Sequence, residues 1–139
     1  MKGSRTLLAV LFLLAGAGLF AQTIEKTFVR SFNLMGAQET VLRVDAPVEV
    51  KTWAQSIARV QMTVGLTSGS ESMLRSLAQA GRYNLKGQLE EAQYTISVPG
   101  LEREVLVNGK ALTEEITYVV FVPENVRVSV ENSTTASGL

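Results

Sequence analysis

Any chemistry in this sequence has to be done without histidine or cysteine, because the chain contains neither. Ser-His and Cys-His nucleophilic pairs are therefore impossible, and no Ser-x-x-Lys spacing offers a Ser-Lys dyad instead. Carboxylates and carbonyls are the only metal-ligand types left, which argues against zinc and copper sites. The carboxylate doublets are Glu90-Glu91 and Glu114-Glu115. Neighbours on a strand point to opposite faces, so neither doublet makes a two-carboxylate site alone. Glu114 falls in register with Leu112 and Ile116, which would turn it inward, yet the pattern reads better as a strand end open to solvent. Trp53, the single tryptophan, is out of phase with Val48 and Val50 and could stack on a sugar or a partner. The blander expectation is packing over a corner. Arg82 and Tyr83 invite the same two readings, with helix capping and core packing the simpler ones. Trp53 and Tyr83 are thus the candidate ligand contacts, and no catalytic, cofactor or metal residue is expected.

The elements that would position these residues are mostly strands. Two similar phrases, Tyr94-Thr-Ile-Ser-Val-Pro99 and Tyr118-Val-Val-Phe-Val-Pro123, each read as a strand closed by proline, which lacks the ladder donor. The first alternates and predicts one buried face; the second is apolar on both faces and predicts a central strand. Asn108-Gly109 between them supplies the positive φ angles of a type I′ hairpin turn. Glu25 to Leu34 suits an edge strand. Leu42 to Lys51 reads as two short strands cornered at Pro47, and Phe121 to Val130 repeats that device at Pro123. Ala58 to Leu66 is a clean alternating strand. The period then changes: Ser68 and Glu71 form a capping box, Met73, Leu74, Leu77 and Ala78 fall at helical spacing, and Gly81 stops a helix over about 70–80. Gly87 within the next strand suggests a bulge or turn.

The amino terminus has a different character. Met1, Lys2 and Arg5 precede an apolar run from Leu7 to Leu19, the pattern of a secretory signal peptide cut after Ala21. The run is short for a permanent span, so no retained membrane anchor is expected. Of 139 residues the cut leaves 118, with 11 basic and 13 acidic side chains and a net charge of −2. Scattered basic residues argue against a nucleic-acid partner. The expected organisation is a signal peptide (1–21), one β-rich domain (22–131) and a flexible tail (132–139).

The export leader, the Val48-Glu-Val-Lys-Thr-Trp53 strand, the strand Val60 to Leu66, the helix ending in Gly81-Arg82-Tyr83, Tyr-x-Ile-x-Val-Pro and the closing Pro-x-x-Val-x-Val resemble a known pattern. The resemblance, over about residues 38–132, is to exported adhesin-like β-solenoid proteins, the head-GIN-domain and related adhesin families of Gram-negative bacteria. It implies stacked strands and a binding or structural role in the periplasm or at the cell surface, with no catalytic residues. The resulting expectation is a mainly β fold, solenoid-like or sandwich-like, with one inserted helix. It is non-enzymatic and meets a protein or glycan partner. Its alternative is a carbohydrate-binding or inhibitor-like β-sandwich using Trp53 and Tyr83. Val126, Val128 and Val130 form an apolar strand at the end of the pattern, a candidate edge for self-association or β-pairing with a partner.

Overall fold

Alternating apolar residues put most of the chain into two four-stranded sheets. In the computed structural model, which describes residues 24–132, the first sheet has the order β1 (Ile24–Phe32), β4 (Ala58–Leu66), β9 (Glu114–Pro123), β3 (Val48–Trp53). The second has the order β10 (Arg127–Glu131), β2 (Glu39–Arg43), β6 (Gln93–Ser97), β5 (Lys86–Glu90). The expected signal peptide, its cut after Ala21, and the tail after Asn132 lie outside the described residues.

Inward residues of both sheets make one core. Val60, Met62 and Val64 of β4, Tyr118, Val120 and Val122 of β9, Leu42 of β2 and Ile96 of β6 are all buried within it. Removing each such side chain from water contributes roughly 1.5–3 kcal/mol. Phe32 of β1 meets Tyr94 of β6 across the two layers, with ring centroids 5.9 Å apart. Neither sheet closes: β1 and β3 are the edges of one, β10 and β5 of the other.

The corners at Pro47 and Pro123 are present, but the strands they join pair crosswise. β3 runs parallel to β9 and β2 runs parallel to β10. Stacked coils would pair first strand with first and second with second. The arrangement is thus two facing sheets, and the coil order implied by the resemblance is not what these pairings give.

The two proline-closed phrases exchange the burial expected of them. β9 is central, between β4 and β3, yet Val119 and Phe121 on its outer face are only half-buried. β6 buries both faces: Tyr94, Thr95 and Ile96 are all inaccessible. Long polar side chains span the outer face of the second sheet and account for this. Arg43 bonds Glu131 of β10 at 3.3 Å and reaches Glu90 of β5 at 3.5 Å, while Gln93 donates to Glu39 at 2.5 Å. A tripeptide pattern cannot foresee such a cover, since it depends on register.

The helix α1 (Glu71–Gln79) packs Leu74 into the core. Its cap is Ser70, whose Oγ accepts the Met73 amide at 3.1 Å, so the expected Ser68 box is displaced by two residues. At the other end Gly81 (φ +89°) lets its amide reach Ala78 O and the Arg82 amide reach Leu77 O, a Schellman closure. Asn108 (φ 53°) and Gly109 (φ 80°) turn the small hairpin of β7 (Leu106–Val107) and β8 (Lys110–Ala111) as expected. Gly87 is neither bulge nor turn. It pairs in register with Ile96, and a Cβ there would lie 2.5 Å from Tyr94 and 2.6 Å from Phe32, so the missing side chain admits the Phe32–Tyr94 contact.

Candidate functional site

The Schellman turn aims the two residues after Gly81 into the molecule. Tyr83 is 2% exposed and stacks on Phe28 with centroids 5.3 Å apart. Its hydroxyl donates to Glu114 Oε2 at 2.5 Å. Arg82 grips the same carboxylate with two nitrogens, Nη2 to Oε1 at 2.7 Å and Nε to Oε2 at 3.0 Å. Its Nη1 donates to the carbonyls of Gly100 and Arg103 at 3.0 and 2.7 Å. One guanidinium therefore ties the start of β9 to the 3-10 turn Pro99–Glu102. Gly100 must be glycine there, because a Cβ would collide with the Arg82 backbone.

The side chains of Arg82 and Glu114 are each only 9% exposed. The expectation that Glu114 opens to solvent is corrected. Register with Leu112 and Ile116 turns it inward, and a partner 32 residues earlier makes that position tolerable. Burial alone would raise its carboxyl, but the hydrogen bonds from Arg82 and Tyr83, with the Arg82 charge, hold it below the usual carboxylate range. Hydrogen bonding to Glu114 raises Arg82 against its own burial, and burial with the Glu114 bond raises the Tyr83 phenol. All three directions describe one state: ionised carboxylate, cationic guanidinium, neutral phenol.

Glu114 of this cluster lines an open cleft of about 580 Å³, while Arg82 and Tyr83 hold it from behind. The β2–β3 corner (Asp45, Ala46, Pro47), the turn residues Leu101 and Glu102, and Leu112, Ile116 and Tyr118 line the rest. Tyr118 is 2% exposed, and its backbone amide donates to Pro47 O at 3.0 Å. Burial, then the nearby charges of Asp45 and Glu114, push its phenol above the ordinary value.

The candidate contacts from the sequence do not meet. Trp53 lies on the outer face of the first sheet, half-buried, its ring 5.2 Å from Phe121 and its Nε1 donating to Ile57 O at 2.9 Å. The Arg59 guanidinium sits 5.0 Å from the same ring. Tyr83 is on the inner side with its hydroxyl committed, so it is withdrawn as a ligand contact. Val126 is buried, Val128 half-buried and Val130 48% exposed; β10 pairs with β2 alone, and β1, which could have folded back on it, pairs with β4. Among the described residues no group of acidic side chains is placed to hold a metal ion, and no helix is long and apolar enough to cross a membrane. Sequence reasoning missed Tyr118 and the Gly100 turn. In the sequence pattern Tyr118 reads only as one apolar position among several.

No family model and no curated protein matches the chain. A solved structure described as a "putative cell adhesion protein from Clostridium sporogenes ATCC 15579" is similar at a TM-score of 0.38 and 12% identity, over 77% of this chain and 46% of that one, so this chain spans less than half of that protein's length.

Proposed function

We propose that this protein is an exported, non-enzymatic, adhesin-like binding module of the cell envelope or surface, and that it engages its partner through the cleft between its sheets. The observation that carries the reading is the state of Glu114. The acid that a cleft of this kind would need for general acid or base work is locked as a carboxylate by Arg82 and Tyr83, far from the poise that proton transfer wants. The same bonds build walls. Apolar Leu101, Leu112 and Ile116 beside a few polar groups are what a recognition cleft requires.

Export rests on the leader Met1 to Ala21. Mass spectrometry of the exported protein should find Gln22 at the amino terminus, and an intact Met1 on detergent-extracted material would refute it. Binding is tested with the immobilised mature protein against a panel of glycans and surface proteins, beside Leu112→Trp, which fills the cleft. Retention by the wild type and loss in the variant is the expected result. Equal retention by both, or a hydrolytic activity that depends on Glu114, would overturn the reading.

A further inference from the structure

Two strand edges stand open on one side of the molecule. Among the described residues β3 pairs only with β9 and β10 only with β2. Phe32 of β1 packs on Tyr94 of β6 and both rings crowd Gly87 of β5, so the β1 edge of the first sheet lies over the β6–β5 end of the second. The β3 edge therefore lies over β10. Between the layers at this side sit Val50, in register with buried Val120, and Val130, in register with buried Leu42. Both belong to inner faces, yet they are 45% and 48% exposed because no strand lies beyond them. Tyr118 N donates to Pro47 O, so the odd positions of β3 face β9, and the backbone groups of Val48, Val50 and Thr52 turn outward, as those of Val128 and Val130 do on β10.

Charges ordinarily keep such edges from pairing. Here they are placed so that each edge matches a second copy of itself. Read antiparallel about Ser129, the sequence Arg127-Val-Ser-Val-Glu131 sets Arg127 opposite Glu131 of the second copy at both ends and Val128 opposite Val130. Read antiparallel about Val50, the sequence Val48-Glu-Val-Lys-Thr52 sets Glu49 opposite Lys51 at both ends and Val50 opposite Val50. In each case outward-facing residues fall opposite one another, the condition for an antiparallel pair that makes both of its hydrogen bonds. The contacts of these charges within one copy, Lys51 to Glu49 at 3.8 Å, Arg127 to Glu39 at 3.7 Å and Glu131 to Arg43 at 3.3 Å, are surface pairs that leave donors and acceptors for another chain. The two centres also lie at one level. Ser129 pairs with Val41, three residues before Val44, and Val50 lies three residues after Pro47, with Asp45-Ala46 as the corner between.

We propose that two copies of this chain join side by side about a single two-fold axis through Ser129 and Val50, β10 beside β10 and β3 beside β3, so that each sheet continues into its counterpart. The half-exposed valines then meet between the layers and supply the driving burial, while the ion pairs fix the register. A two-fold contact closes on itself, so the assembly stops at two copies. The same axis sends the Pro47 corners, and the clefts beside them, to opposite ends of the pair. This association is independent of what the cleft binds.

Sedimentation of the exported protein over a wide concentration range tests it. The wild type is expected to pass from one copy to two and no further, with the amides of Val50, Val128 and Val130 gaining protection from hydrogen exchange as it does. Arg127→Glu and Glu131→Arg each set like charges opposite one another at both ends of β10 and should weaken the pair about tenfold. Mixing these two variants sets unlike charges opposite again and should restore a mixed pair, a result that misfolding of either variant would not imitate. Glu49→Lys and Lys51→Glu should behave in the same way for β3. A strict single copy at high concentration would overturn the proposal, as would growth past two copies. Protection of the three amides that does not change with concentration would mean that another part of the chain covers the edges, and overturns it as well. So would association indifferent to the charge variants and their mixtures, or answering to those on only one of the two strands.

Discussion

At the scale of single residues the Arg82–Glu114 pair decides how the cleft end holds together. Removing one partner strands the other charge away from water, a loss of about 3–5 kcal/mol, whereas replacing both with apolar side chains of similar volume is far milder. Arg82→Met and Glu114→Leu should each lower stability by that order in urea denaturation. The double variant should recover much of the loss; additive losses would mean the two side chains act independently. The same pair gives a pH dependence. The Glu114 carboxyl is lower in the folded state than in the unfolded chain, so its stabilisation is fully present above the unfolded value, roughly pH 4.3, and is lost as pH falls through the lower folded value. Glu114→Gln should therefore flatten the acid limb of the stability profile below that pH. An unchanged limb would contradict the assignment.

Elements show which features a sequence can carry. Ala58–Leu66, the edge strand at Ile24–Phe32, the Pro47 and Pro123 corners, the Asn108-Gly109 hairpin and the helix after Ser70 are local matters of period, proline and positive φ, and all were legible. What was not legible depends on partners distant in the chain. Glu114 read as exposed because Arg82 lies 32 residues away, β6 read as half-exposed because its cover comes from Arg43, and Gly87 read as a bulge because Phe32 is far off in sequence. The crosswise pairing of the proline-cornered strands is likewise a property of topology. Two glycines allow contrasting tests. Gly87→Ala puts a methyl group against two packed rings and should cost about 1–3 kcal/mol, the range for overpacking. Gly109→Val meets no neighbour but forces a β-branched residue to φ +80°, with a loss of about 1–3 kcal/mol from backbone strain. Melting curves of the two variants check both, and unchanged curves would refute either argument.

For the molecule as a whole, two facing sheets with open edges leave some amides paired and others outward. Arg127 N donates to Gln38 O and Glu131 O accepts from Val44 N, so the odd positions of β10 face β2 and alternation turns the amides of Val128 and Val130 away from it. Hydrogen exchange should be slow at Ser129 and fast at Val128 and Val130 in the monomer. Protection at all three would show that something else covers the edge. Val128→Pro should then leave the fold in place and remove association through this strand, as read by sedimentation.

The central claim is that an exported module meets its partner in the cleft and not elsewhere on its surface. A photo-crosslinking side chain placed in the full chain at Leu112, inside the cleft, and in a second variant at Val29, 55% exposed on the far face of the first sheet, tests it in the living cell. The account predicts a crosslink from position 112 to one envelope or surface component, carried by protein that has lost residues 1–21, and none from position 29. Equal crosslinking from both positions, or crosslinks from 112 only to cytoplasmic proteins by chains retaining Met1, would contradict it.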